Sequence, residues 1–263
     1  MSDSEVSTIE VVSSSLGLIQ EKGLFEYFQR HYSHFFPALR QVDRTTFVRQ
    51  AANVWAVKER LWCWLLTRQV TYDPEVAMIE SFALPTCQFV RARRGRLFLG
   101  EASSGWDHTQ KRAFDGFRVH ARVCWPGVIP RVCLTAGHGA ESAVVLDLVE
   151  GTHGLLLGDR NSWLPDLKVV LRRLGIRLQT PFKLASSPLA RLFHSPVLTR
   201  VRSLIETIFS QFVGRLAVRR VLARDLWHLR NRLLRGLLMH TLCILFNQFE
   251  GHDPLQLAAV VAA

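Results

Sequence analysis

Three acidic residues, far apart in the chain, stand in short frames suited to chemistry. Glu80 lies in Ile-Glu-Ser-Phe-Ala-Leu-Pro-Thr-Cys, Asp159 in Leu-Leu-Leu-Gly-Asp-Arg-Asn-Ser-Trp, and Glu206 in Arg-Ser-Leu-Ile-Glu-Thr-Ile-Phe-Ser-Gln-Phe. The first two end or punctuate apolar, strand-like runs, and the third sits on an amphipathic, helix-like run. Carboxylates delivered from two strands and a helix can hold paired divalent ions for in-line phosphoryl transfer. In that chemistry one ion activates the attacking oxygen and the other stabilises the leaving one. The chain carries a net charge of +11, with 33 Lys+Arg against 22 Asp+Glu. Arg supplies most of the excess, and its planar fork suits phosphate. The phosphodiester such a chain would meet is DNA or RNA.

Each acid also has a plainer reading. An ionised Glu80 in an apolar strand needs a partner, and Arg91, Arg93 or Arg94 would serve as a structural ion pair. Asp159 after Gly158 can be a turn residue. Glu206 can pair on the helix surface with Arg202, one turn before it. Elsewhere, His120 and His138 read as structural or DNA-positioning, Asp107 and Asp115 as loop residues, and Trp227 as a packing residue on a basic helix.

The frames and their surroundings closely resemble a family of bacterial insertion-sequence transposases of the DDE type, over nearly the whole chain. The resemblance includes Phe-Phe-Pro-Ala-Leu (35 to 39), Arg-Thr-Thr-Phe-Val-Arg-Gln-Ala-Ala-Asn (44 to 53), Gly-Phe-Arg-Val-His (116 to 120) and Ala-Arg-Asp-Leu-Trp-His-Leu (223 to 229). It implies that Glu80, Asp159 and Glu206 are catalytic metal ligands for two Mg²⁺ ions, with Mn²⁺ able to substitute. The implied reaction is cleavage of the element's ends and strand transfer into target DNA. The implied partner is double-stranded DNA, bound by a homodimer or larger assembly. Two positions depart from the family pattern. The family usually has Asp where this chain has Glu80, and an aromatic residue where it has Ser162. Two other readings stay open: a DNA-binding relic with a weakened metal site, and a structure-selective nuclease without strand transfer.

With 48% hydrophobic residues in 263, the chain has ample material for a core. Five scattered cysteines without a C-x-x-C pair argue against a disulfide framework and a zinc site. The acidic start Met-Ser-Asp-Ser-Glu lacks a signal-peptide layout. The longest apolar stretch, Leu237 to Phe246, falls short of the ~20 residues that span a bilayer. The expectation is a soluble cytoplasmic protein working at the nucleoid, with no membrane partner.

Three regions are expected. Residues 1–70 read as a small helical bundle for DNA binding or packing. Leu24, Phe25, Phe28, Tyr32 and Phe35 share one apolar face, and Pro37 ends or bends that helix. A long second helix, capped by Asp43, carries Phe47 to Leu65, with Arg49, Lys58, Glu59 and Arg60 on its outer face. Residues 71–215 read as the catalytic core. Strands are expected at 76–84 (closed by Pro85), 95–101, 117–125 and 128–134, then a helix at 140–149. A strand at 155–157, a helix at 164–174 and a strand at 176–180 complete it. An antiparallel meander followed by alternating helix and strand is the order of the ribonuclease H-like fold: an α/β mixed sheet flanked by helices. Residues 183–196 read as a loop. Residues 216–263 read as a basic helical region, and Arg202, Arg215, Arg219, Arg220 and Arg224 are the expected DNA-binding arginines.

Overall fold

The computed structural model describes residues 1–69, 72–95, 97–158, 165–180, 196–214 and 216–257, the side chains of 88, 91, 93, 165, 196–202 and 205 excepted. The expected loop over 183–196 therefore lies outside the described residues as far as 195. Two compact units result: Val70–Phe209, and Met1–Gln69 together with Ser210–Ala263. Three stretches of sequence thus become two bodies, the first and last stretches sharing one.

Unit Val70–Phe209 is built on a mixed sheet. Its strands are β1 (Asp73–Gln88), β2 (Ser103–Asp107), β3 (Arg112–Trp125), β4 (Val128–Ala136), β5 (Gly154–Leu157) and β6 (Ile176–Gln179). β3 runs antiparallel to β1 along one edge, and its other edge takes β2 and then β4. β5 pairs parallel with β1, and β6 parallel with β5. Setting β2 aside, the strands lie in the order β4-β3-β1-β5-β6. An antiparallel meander extended by two parallel crossover strands is the ribonuclease H-like order. The crossovers carry α5 (Glu141–Val149) and α6 (Pro165–Arg173), as parallel pairing requires. These helices cover one sheet face through Val144, Val145, Leu148 and Leu171 against Ala77, Ile79, Cys124 and Leu156. β5 can enter beside β1 because its first residue is Gly154, at φ +99. A Cβ there would stand 2.4 Å from the Glu75 carbonyl oxygen.

Two strand expectations change here. Pro85 does not close β1, which runs on to Gln88 after a register shift between Pro85 and Cys87. Proline is tolerated at such a bulge because one ladder bond is already missing there. No strand forms among the described residues of 95–101. Phe98 at φ 58 and Gly100 at φ 79 are incompatible with extended backbone, and the strand that does form, β2, begins at Ser103.

The helical unit contains α1 (Asp3–Ser15), α2 (Glu21–His31), α3 (Arg44–Asn53), α4 (Trp55–Leu66) and α8 (Leu226–Phe249). The Ser2 hydroxyl accepts from the Glu5 amide at 3.3 Å while Glu5 accepts from the Ser2 amide at 2.7 Å, a capping box that starts α1. The α2 face is shorter than its periodicity predicts. Leu24, Phe25 and Phe28 are buried, but Phe35 lies beyond the helix end and is 68% exposed, while Pro37 opens a short 3-10 turn. The expected long helix after Asp43 is broken at Val54. Phe47, Ala51 and Val54 pack with Val6, Ile9 and Phe28, whereas Trp62, Leu65 and Lys58 on α4 face inward beside α8. One straight helix cannot turn a single stripe toward both sets, and the break redirects it.

Lys58, expected on the solvent face, is fully buried. Its ammonium pairs with Glu10 and donates to the Asn231 amide oxygen at 2.6 Å and the Ala51 carbonyl at 3.1 Å. Asn231 donates to Glu10 at 3.0 Å, and Arg235 lies 3.7 Å from Glu10 and 3.4 Å from Glu21. Two elements at opposite ends of the sequence, α1 and α8, are thus tied through buried charge. Among the described residues no helix is long and apolar enough to cross a membrane.

Candidate active site

Glu80 sits partly buried in the middle of β1, the central strand of the sheet. Between Ala77 and Pro85 the β1–β3 register is unbroken. Alternation therefore places Met78, Glu80 and Phe82 on one face and Ile79 and Ser81 on the other. The second set faces α5 and α6, so the Glu80 face is the opposite one. Helix α7 (Pro196–Gly214) reaches that face: Phe209 meets Phe82 with ring centroids 5.6 Å apart. Glu206 is exposed and stands three residues before Phe209, which puts both on neighbouring turns of one helix side. The aromatic contact therefore brings the α7 side bearing Glu206 to the β1 face bearing Glu80.

The parallel ladder between β1 and β5 is Val76↔Leu155, Ala77↔Leu156 and Met78↔Leu157. Gly158 continues the strand far enough for its amide to donate to the Gln179 carbonyl at 3.0 Å. Asp159 lies outside the described residues, as does Ser162. Glu80 and Asp159 nonetheless stand at the same sequence offset, two residues beyond the last ladder pair, Met78 and Leu157.

The arginines expected to pair with Glu80 follow the end of β1. Eight residues of strand separate Glu80 from Gln88, a span of up to roughly 26 Å at ~3.3 Å per residue. The strand therefore carries the backbone of 91–94 away from Glu80. Of the arginines expected to bind DNA, Arg215 and the side chain of Arg202 lie outside the described residues. Arg220 and Arg224 are exposed, and Arg219 is partly buried, its pKa lowered by that burial.

Other titratable groups are engaged elsewhere. His120, expected to be partly exposed, is fully buried on the opposite face of the sheet, with Nε2 2.9 Å from the Thr135 hydroxyl. Burial, with Arg118 nearby, pushes its pKa down to about 4. His138 Nδ1 meets the Ser103 hydroxyl at 2.6 Å. Asp107 is buried and accepts from the amides of Thr109 at 3.0 Å and Gln110 at 3.1 Å, a turn role. Asp115 is a strand residue within β3 rather than a loop residue. Burial lifts the Cys124 thiol to about 11, which removes it as a thiolate ligand. Glu80 offers carboxylate oxygens, hard donors suited to Mg²⁺ or Mn²⁺, and among the described residues no group of three or more His, Cys, Asp or Glu side chains is placed to hold a metal ion.

A family model described as the transposase DDE domain matches residues 71–221, more than half of the chain. The chain belongs to the transposase DDE-domain family. No curated protein and no solved structure matches it. Membership brings transposase-type DNA cleavage and transposition in general, a chemistry for which the family typically uses a divalent metal. The match begins just before β1 and ends beyond α7, so it takes in all three acidic positions. In this transposase domain, of the three arginines expected to pair with Glu80, Arg94 is exposed and the side chains of Arg91 and Arg93 lie outside the described residues.

Proposed function

We propose that this chain is an insertion-sequence transposase of bacterial type, acting on double-stranded DNA in the cytoplasm, and that Glu80, Asp159 and Glu206 form its metal site. The observation that carries this reading is the Phe82–Phe209 contact, which sets the Glu206 side of α7 over the Glu80 face of the central strand. The equal offset of Glu80 and Asp159 from Met78 and Leu157 supports Asp159 as the neighbour of Glu80. Glu80 and Asp159 would hold two Mg²⁺ ions between them, and Glu206 would complete the shell of one. When bound, the ions supply activation of the attacking oxygen and stabilisation of the leaving one. Water cleaves the phosphodiester at the element's end, and the freed 3′-hydroxyl then attacks target DNA. Arg202, Arg215, Arg219, Arg220 and Arg224 are proposed to hold backbone phosphates, which positions the duplex without reading its sequence. The helical unit is proposed to add DNA contacts, and a homodimer or larger assembly to pair the two ends.

Glu80 favours one further reading. Its extra methylene moves the carboxylate by roughly 1–1.5 Å, about one C–C bond, and a misplacement on the order of 1 Å costs about 100-fold in rate. A chain so affected would keep its DNA surfaces and lose activity. The test is Mg²⁺-dependent cleavage of the cognate element's end by this chain and by Glu80→Asp. Cleavage raised about 10–100-fold in Glu80→Asp supports a misplaced ligand in an intact site. Equal cleavage means the backbone has adjusted, and silence in both with DNA binding retained assigns the chain to the relic. Joining of the 3′-hydroxyl end separates a transposase from a nuclease of the same fold.

A further inference from the structure

In the helical unit, α4 turns one stripe inward and leaves another without a neighbour. Trp62 and Leu65 are buried, while Val57, Leu61 and Trp64 are exposed, Trp64 by 52%. Spacings of four and three put these three on one side of the helix. Arg60 and Arg68 are exposed beside them, and the Arg68 guanidinium stands 4.9 Å from the Trp64 ring centre. An apolar stripe at this spacing is what one helix lays against another. Glu59 is the only acid on α4, and Arg230 binds it. A second α4 would therefore bring arginine to arginine, so the helix that fits must carry acid.

The end of α8 has that character. α4 and α8 run side by side and parallel: Trp55 meets Trp227 with ring centroids 5.5 Å apart, and the Gln69 amide donates to the Thr241 carbonyl at 3.1 Å. α4 ends at Leu66, whereas α8 continues past Thr241 to Phe249, an overhang of about 12 Å at ~1.5 Å per residue. On it Phe246 is exposed and Phe249 is 69% exposed, and the exposed carboxylates of Glu250 and Asp253 follow. Among the described residues no ion pair engages Arg60, Arg68, Glu250 or Asp253. The overhang points onward from the end of α4, so it does not fold back on the α4 of its own chain. The two surfaces complement each other between copies.

We propose that the chain forms a two-fold dimer in which the α8 overhang of each copy lies antiparallel on the α4 stripe of the other. Phe246 and Phe249 meet Leu61 and Trp64, and the carboxylates of Glu250 and Asp253 meet Arg60 and Arg68. A two-fold axis makes the contact twice and closes the assembly. The dimer gives a surface to the assembly proposed above for pairing DNA ends, and it rests on that reading for its purpose only.

The experiment is sedimentation equilibrium of the full chain without DNA or divalent ions, so that its failure leaves the cleavage reading untouched. Trp64→Ser with Phe249→Ser should weaken the dimer by about 30-fold or more, the scale of an aromatic hot spot. Arg60→Glu with Arg68→Glu should weaken it by about tenfold or more, because like charges then meet. Glu250→Arg with Asp253→Arg should do the same from the other side. Mixing these two charge-reversed proteins should restore dimers holding one of each, since acid then faces arginine in both contacts. Misfolded variants would not recombine in this way. A chain monomeric at every concentration overturns the proposal, as does an open-ended polymer. So does a dimer that survives the serine pair, or reversed proteins that fail to combine on mixing. Lower DNA affinity in the Arg60 and Arg68 variant with its dimer intact would assign the α4 face to DNA instead.

Discussion

The arginines of α8 and Arg94, which follows β1, stand in contrasting surroundings. In the helical unit Arg230 binds Glu59 at distances of 2.8 and 3.0 Å and lies 3.8 Å over the Trp55 ring. Arg232 donates to the Ile19 carbonyl at 3.0 Å and pairs with Glu21, and Arg235 is buried between Glu10 and Glu21. These side chains hold helices together. In the sheet unit the run at 91–96 is flanked by solvent-exposed apolar residues, and Arg94 is itself exposed. An excess of arginine therefore locates a nucleic-acid surface only after internal partners are subtracted. Both sets add to the same net charge, but Arg235 is buried while Arg94 is open to solvent.

The largest effect should come from breaking the inward set. Glu10→Ala leaves Lys58 and Arg235 without their shared carboxylate, and removing one partner of a buried pair costs about 3–5 kcal/mol. Denaturant unfolding of the helical unit would measure it, and a loss below about 1 kcal/mol, the scale of surface pairs, would show that the network is dispensable.

Acid should act on the other unit. His120 is held neutral because burial depresses its folded pKa to about 4 from an ordinary 6.5. Its contribution is fully present above pH ~6.5 and is lost as pH falls toward about 4, on the order of 3 kcal/mol at ~1.36 kcal/mol per unit. Unfolding across that window should flatten in His120→Gln, and parallel curves for the two proteins would remove His120 as the cause.

Next in size is the change of about 10–100-fold in cleavage expected for Glu80→Asp. Mn²⁺ should partly rescue the unaltered chain, while Asp159→Ala should leave no activity with either ion.

The smallest effect sharpens the comparison itself. Replacing Arg219, Arg220 and Arg224 by Ala should lower DNA affinity and flatten its salt dependence, by up to about one unit for each phosphate that is no longer neutralised. The equivalent change at Arg230, Arg232 and Arg235 should leave the slope alone while lowering stability. A flatter slope in the second set would contradict its structural assignment.

Much of the sheet was legible in the sequence because strand alternation and turn residues are local signals. β3, β4, β5 and β6 fall within a few residues of their expected places. The misses share a cause, which is tertiary context overriding pattern. Lys58 repeats at a polar helical position, yet Glu10 and Asn231, 48 and 173 residues away, make it a core residue. Residues 95–101 are apolar enough for a strand, but the Phe98 anchor imposes a left-handed turn. The frames named Glu80, Asp159 and Glu206 as candidates, of which Asp159 lies outside the described residues. The Phe82–Phe209 contact that relates the elements of the other two has no sequence signature.

The central claim is that Glu80, Asp159 and Glu206 hold one divalent-metal site, and it can be tested without knowing the element's ends. Fe²⁺ in place of Mg²⁺, with ascorbate and peroxide, cuts a polypeptide near where the ion binds. The account predicts chain cuts near residues 80, 159 and 206 together, suppressed by excess Mg²⁺ and absent in Asp159→Ala. Cuts confined to other positions, or cuts near 80 that persist in Asp159→Ala without any near 206, would contradict it.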